Sequence, residues 1–280
     1  MMDHFIFNGK FYKQQEAVIG SSNRGLRYGD GLFETMKMIK GTIVQQAAHF
    51  ERLWQGMDIL QFERPSLFTK GNLINAVRKL ALKNNHEQSA RVRLNVFKGD
   101  GGLYDAVNNS PNYIIETSSL PENSGLWNEN GLVAGFYEEA RKSCDILSNL
   151  KHNNYLPYVM AAIQAKKEKW NDAIILNQFG RVADSTIANL FLIKDQNIIT
   201  PALSEGGVAG IMRKSLLQHL QQNDFNYEEV PVTIEDVLNA DEVFLTNSIN
   251  NIRWVQRIAD SFYANELTQK IHASFIPTIC

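Results

Sequence analysis

The chain has 280 residues, of which 44% are hydrophobic and 21% charged, with a formal net charge of −2 and two cysteines, Cys144 and Cys280. That is the composition of a globular protein with a sizeable core, and the near-neutral balance gives no basis for binding nucleic acid or an anionic membrane surface. Two distant cysteines suit a reducing compartment better than a disulfide framework or a metal set. No leader pattern and no apolar run of roughly 18 residues stands in the chain, so a cytoplasmic enzyme or binding protein without a metal site is expected.

In chain order, Phe5–Phe7, Asn8-Gly9 and Lys10–Tyr12 read as a hairpin around an Asn-Gly turn. A loop rich in Gly, Ser and Asn leads through RYGDGLFET into a strand over residues 33–39, which turns at Lys40-Gly41 into a second strand over 42–46. Residues 49–60 are a helix candidate with Phe50, Leu53, Trp54 and Met57 on one face and Arg52 on another. A second helix is expected over 73–82. Strands follow at 90–97 and 113–117, joined by the polar loop KGDGGLYDAVNNSP.

The segment 118–131, SSLPENSGLWNENG, reads as a linker between a domain at 1–117 and a larger one at 132–280. The second half begins with a strand over 132–137. A helix beginning at Lys151 carries Leu156, Val159, Met160 and Ile163 at the spacing of a buried stripe. Strands are expected at 172–177, 189–193 and 198–200. Then come a glycine-rich turn opening a helix, a short helix at 235–238, a strand at 242–246 and a terminal helix at 267–275.

Lys151, in SNLKHNNYL, lies between an extended run and that apolar helix. Such a lysine either reaches back to the surface or is held inside, where desolvation makes its amine a nucleophile toward carbonyls. Three further features bear on the choice. Gly206–Gly210 feeding Ile211 and Met212 presents backbone amides at a helix N-terminus, suited to an anion and above all a phosphate. It lacks the spacings of the nucleoside triphosphate and dinucleotide loops, and a plain loop before a helix is the other reading. Thr246 and Ser248 offer hydroxyls after a strand, or bond only their own turn. Asp184, in VADSTIANLFL, is a carboxylate among small residues that could accept from a protonated heterocycle or serve as a turn residue. Together these are the groups pyridoxal phosphate requires.

With NRGLRYGDGLFET, HFERL, ARVRLNVFKGDGG, LKHNNYLPYVMA, GRVADSTIANLFLI, GGVAGIMR and DEVFLTNS in order along nearly its whole length, the chain resembles the class IV aminotransferases. These are the fold-type IV pyridoxal phosphate enzymes, a group that includes branched-chain and D-amino acid aminotransferases and 4-amino-4-deoxychorismate lyases. The resemblance implies an α+β fold of two domains with the cofactor in the cleft between them, and a homodimer. It implies that Lys151 is the Schiff-base lysine and that Arg52 pairs with the phosphate. The amides of Ile211 and Met212, with Ser248 and Thr246, complete the phosphate site, and Tyr155 lies near a cofactor oxygen. Asp184 falls where the family usually has glutamate, one methylene longer. Phe33 and Tyr28 are expected in the substrate pocket. Lys98 is a candidate for the substrate carboxylate, or a plain loop lysine. The activity implied is transfer of an amino group between an amino acid, of branched-chain or D type, and a 2-oxo acid. The alternatives are the lyase reaction giving 4-aminobenzoate and pyruvate, and an inactive binding relative.

Overall fold

The computed structural model describes residues 3–279. The chain divides into two compact units, one of Met1–Glu122 with Lys151–Asn154, the other of Asn123–Leu150 with Tyr155–Cys280.

Among the described residues the first unit contains β1 (His4–Phe7), β2 (Lys10–Lys13), α1 (Arg24–Tyr28), β3 (Gly31–Ile39), β4 (Thr42–Ile43), α2 (Gln46–Ile59), α3 (Lys70–Lys83), β5 (Ser89–Lys98) and β6 (Pro111–Ser118). Its strands form one antiparallel sheet in the order β2-β1-β6-β5-β3-β4. Asn8 and Gly9, with φ of 48° and 83°, make the two-residue turn that matches the twist of paired strands. β4 is shorter than expected because Gln45 turns left-handed and α2 starts at Gln46. The segment before β3, expected as loop, contains α1. Asn23 caps it by accepting from the Leu26 amide, and Gly29 ends it at φ 64°. Glu34, Met36 and Met38 are buried on one face of β3, and α2 lies against that strand through buried Phe50, Leu53 and Met57.

The second unit contains β7 (Leu132–Lys142), α4 (Leu156–Lys167), β8 (Asp172–Asn177), β9 (Val182–Ser185), β10 (Asn189–Lys194), β11 (Asn197–Pro201), α5 (Ile211–Gln222), β12 (Tyr227–Val230), α6 (Ile234–Leu238), β13 (Glu242–Asn247), β14 (Asn251–Ile258), β15 (Ser261–Phe262) and α7 (Glu266–Ile279). Its sheet runs β12-β11-β10-β13-β14-β7-β8-β9, with β15 against β14. Both faces are covered. Leu190, Leu192, Val243 and Leu245 join one core, while Phe191, Ile193 and Phe244 join another with Met212, Leu216 and Leu220 of α5 and Ile271 and Phe275 of α7. That is why IILN in β8 and NLFLI in β10 are buried throughout rather than alternately. β14 has no counterpart in the sequence expectations. A register shift between Val255 and Arg257 breaks its two-residue period.

The helix after Tyr155 corrects one expectation. Leu156, Val159, Met160 and Ile163 are not buried but 74%, 48%, 47% and 57% exposed. The inward face of α4 carries Tyr158, Ala161 and Ala165, packed with Tyr137, Ala173 and Ile175. Small alanines let the helix lie close to the sheet, and the larger apolar residues are left on the outside. Among the described residues no helix is long and apolar enough to cross a membrane, and no group of three or more His, Cys, Asp or Glu is placed to hold a metal ion.

Candidate active site

Lys151–Asn154 belongs to the first unit because it pairs with the start of β3. The Phe33 amide donates to Lys151 O at 2.9 Å, the Asn153 amide donates to Gly31 O at 3.0 Å, and the Asn153 side chain donates to Asn95 Oδ1 at 2.9 Å. Lys151 is therefore held by its backbone carbonyl, and its Nζ lies 4.7 Å from the centre of the Phe33 ring. The same ring carries the Arg93 guanidinium at 4.0 Å, a cation the sequence reading passed over. Lys98 lies over Phe62 instead, at 5.7 Å, and Tyr28 packs on Tyr104 and beneath Arg24.

Arg52 is anchored from below. Its Nε and Nη2 donate to the two oxygens of Glu34 at 2.8 and 2.5 Å, and His49 Nδ1 meets Glu34 Oε2 at 2.7 Å. Burial alone would raise the Glu34 pKa, but the Arg52 charge and the His49 hydrogen bond outweigh it and hold the carboxyl at about 2, below its ordinary 4.5. A carboxylate depressed in the folded state stabilises fully above its unfolded pKa, and the contribution fades as pH falls toward the folded value. Glu34→Gln is expected to cost about 3 kcal/mol at neutral pH, and the deficit should shrink between about pH 4.5 and 2. Urea unfolding at a series of pH values checks this. A deficit that does not change with pH would contradict it.

In the second unit the site is built on Asp184, which is 2% exposed on β9 opposite Ile175. Its Oδ2 accepts from the Val208 amide at 2.9 Å, the Tyr158 hydroxyl at 2.8 Å and Lys142 Nζ at 3.4 Å. Its Oδ1 is buried and has no hydrogen-bond partner among the described residues. Lys142 also donates to the Tyr158 hydroxyl and to Ser148 O at 3.5 Å. Burial, and then the Asp184 charge, push the Tyr158 phenol well above its ordinary pKa, so it acts as a neutral donor. Tyr155 stacks on Tyr158 with centroids 4.5 Å apart.

Val208 ties Asp184 to the glycine-rich turn. Gly206 has φ of 87°, and a Cβ on Gly207 would come within 2.5 Å of Ala183 O, so neither tolerates a side chain. The Asn149 side chain donates to Leu203 O and Gly207 O at 2.8 and 2.6 Å, and that of Asn189 donates to Val208 O at 2.8 Å. α5 then opens at Ile211 with no side-chain cap, leaving its first amides without an acceptor inside the helix. Thr246 stands opposite Asn189 in the β10–β13 ladder, and its buried Oγ1 has no hydrogen-bond partner among the described residues. Asn247 Oδ1 accepts from the Ile249 and Asn250 amides, forming the turn that presents half-buried Ser248. Asp184, Tyr155, Ile211, Met212, Thr246 and Ser248 thus lie in the second unit, and Lys151, Phe33, Tyr28, Lys98 and Arg52 in the first. Lys142, Tyr158 and Asn189 are additions. Tyr158 had a signal, standing three residues after Tyr155 on one helix face. Lys142 had none, because β7 ends in the polar run EEARK.

Known proteins share this sequence pattern and fold. The profile of "Amino-transferase class IV" matches residues 31–258. An aminodeoxychorismate lyase of Vibrio harveyi is 32% identical over 239 residues, 85% of this chain and 86% of the relative. A D-alanine aminotransferase of Bacillus licheniformis is 27% identical over 260 residues, 87% and 84% of the two chains. The crystal structure of a branched-chain aminotransferase from Thermoproteus uzoniensis with norvaline superposes with a TM-score of 0.89 at 21% identity, covering 100% of this chain and 95% of the other. The two-sheet α+β fold is theirs, and the chain belongs to the class IV aminotransferase family.

Proposed function

We propose that the chain binds pyridoxal 5'-phosphate and moves an amino group between an amino acid and a 2-oxo acid. The observation that carries this reading is the pairing of two orphaned buried atoms, Asp184 Oδ1 and Thr246 Oγ1, with the uncapped start of α5. A buried oxygen left without a donor costs stability unless a ligand supplies one, and a protonated ring nitrogen would do so at Asp184. A phosphate would accept from the Thr246 hydroxyl and the Ile211 and Met212 amides, with Ser248 beside them. Arg52, its fork oriented by Glu34, is proposed as the phosphate's cation, and Tyr155 as a donor to a ring oxygen. The fit supports this cofactor.

When bound, pyridoxal phosphate supplies a ring that withdraws electrons from the substrate α-carbon. Lys151 would hold the group through its Nζ, and its amine would take and return the proton at the substrate α-carbon. Phe33 and Tyr28 are proposed on the substrate side. Arg93 is a better-placed cation for the substrate carboxylate than Lys98, because it shares the Phe33 ring with Lys151. The exposed stripe of α4 supports association with a second copy of the chain. The two distant cysteines support a cytoplasmic setting.

The lyase reading, 4-amino-4-deoxychorismate to 4-aminobenzoate and pyruvate, is kept because the Vibrio harveyi relative is a lyase at 32% identity. The reconstituted protein is to be assayed with L- and D-amino acids and a 2-oxo acid, and separately with 4-amino-4-deoxychorismate alone. The expected result is oxo-acid formation that requires the acceptor, from a species sedimenting as two chains. Aminobenzoate released without any acceptor would replace transfer by the lyase reaction, and a protein that takes up no cofactor would overturn both.

A further inference from the structure

Lys142 has no role in the proposal above, yet it is 8% exposed and lies within 3.4 Å of the carboxylate on which the cofactor ring would rest. Lysines are rarely buried, and a buried charge is retained only with a partner. Hydrogen bonding does not require it here. Asp184 Oδ2 already accepts from the Val208 amide and the Tyr158 hydroxyl at 2.9 and 2.8 Å, and the lysine is the longest of the three contacts. What Lys142 adds is charge.

Its placement is one-sided. All three donors meet Oδ2, and none meets Oδ1. The carboxylate is thus pinned with Oδ1 as the one oxygen left for a ligand, while a cation stands behind it. Around the pair stand Tyr158 of α4, Tyr155 at the helix's N-cap and, after β7, Cys144, which feels both Lys142 and Asp145. Glu205 also lies near, but is paired by two hydrogen bonds with Arg181, at 2.6 and 2.9 Å.

We infer that Lys142 is a positioning and charge-tuning residue for the bound cofactor: it offsets the Asp184 carboxylate through Oδ2, so that a ring nitrogen held at Oδ1 gives up its proton at a lower pH than it would beside a lone carboxylate. An opposite charge within about 4 Å shifts a proton equilibrium by about one unit or more, and the same field reaches the ring through Asp184. This inference rests on the cofactor reading and deepens it. The Asp184 carboxylate comes with a cation that weakens its hold on the ring proton.

The test uses protein reconstituted with pyridoxal phosphate labelled with ¹⁵N in the ring, whose chemical shift is followed against pH. Lys142→Gln, which keeps a donor and loses the charge, should raise the midpoint of ring deprotonation by at least about one pH unit. Lys142→Arg should leave it near the wild-type value. A midpoint in Lys142→Gln equal to wild type overturns the inference. Should that variant fail to hold the cofactor, Lys142→Met, which removes the same charge, is measured in its place with the same two outcomes. A chain that takes up no pyridoxal phosphate overturns the cofactor reading and this one together. A loaded chain with an unshifted midpoint overturns this one alone.

Discussion

Lys151→Ala is expected to lower kcat/KM by at least about 10⁴-fold while leaving the far-UV circular dichroism unchanged. The loss is large because one amine is assigned two tasks, holding the cofactor and moving the α-proton. The fold should tolerate the change because the segment is held by its backbone, through Phe33 N to Lys151 O and Asn153 N to Gly31 O, rather than by the lysine side chain. Steady-state kinetics with added methylamine would check the assignment. Partial rescue by the free amine supports a proton-moving role, and activity within tenfold of wild type would remove Lys151 from the mechanism.

Asp184→Asn should affect both function and stability. In the loaded enzyme, removing the charge opposite the ring nitrogen is expected to lower kcat by about 10²–10³-fold, the usual scale for a preorganised electrostatic group. In the protein without cofactor, the same change leaves the Lys142 ammonium buried without its counter-charge, and a loss of about 3 kcal/mol is expected. Adding Lys142→Met should return most of that stability, because it removes the buried charge that the first change leaves without a partner. Urea unfolding of the two single variants and the double variant checks this. If the double variant is as unstable as the sum of the singles, Lys142 and Asp184 are not coupled.

Local chemistry was legible in the sequence where one short stretch determines the outcome. Asn8-Gly9 and Lys40-Gly41 announce their turns because few residues adopt positive φ, and the structure has φ of 48°, 83°, 47° and 73° there. Gly206, at φ 87°, was readable for the same reason. Periodicity could find the stripe Leu156, Val159, Met160 and Ile163, but it reports only that apolar residues share a helix face, not what covers them. The sheet's true neighbours for α4 were the two alanines and Tyr158, which carry almost no hydrophobic signal. Lys142 was invisible because its burial depends on Asp184, 42 positions later, and its own neighbours Glu138, Glu139 and Arg141 read as a solvated strand end. Glu34 was hidden in the same way, since a carboxylate in an apolar strand is explained only by Arg52 and His49 from the following helix.

The central claim is that Lys151 is the amine that carries the cofactor. Wild-type protein is to be reconstituted with pyridoxal phosphate, treated with borohydride, digested, and the modified lysine identified by mass spectrometry. Stoichiometric labelling of the peptide containing Lys151, and not of the one containing Lys142, is the predicted result. Labelling at Lys142, or scattered substoichiometric labelling of surface lysines, would contradict it.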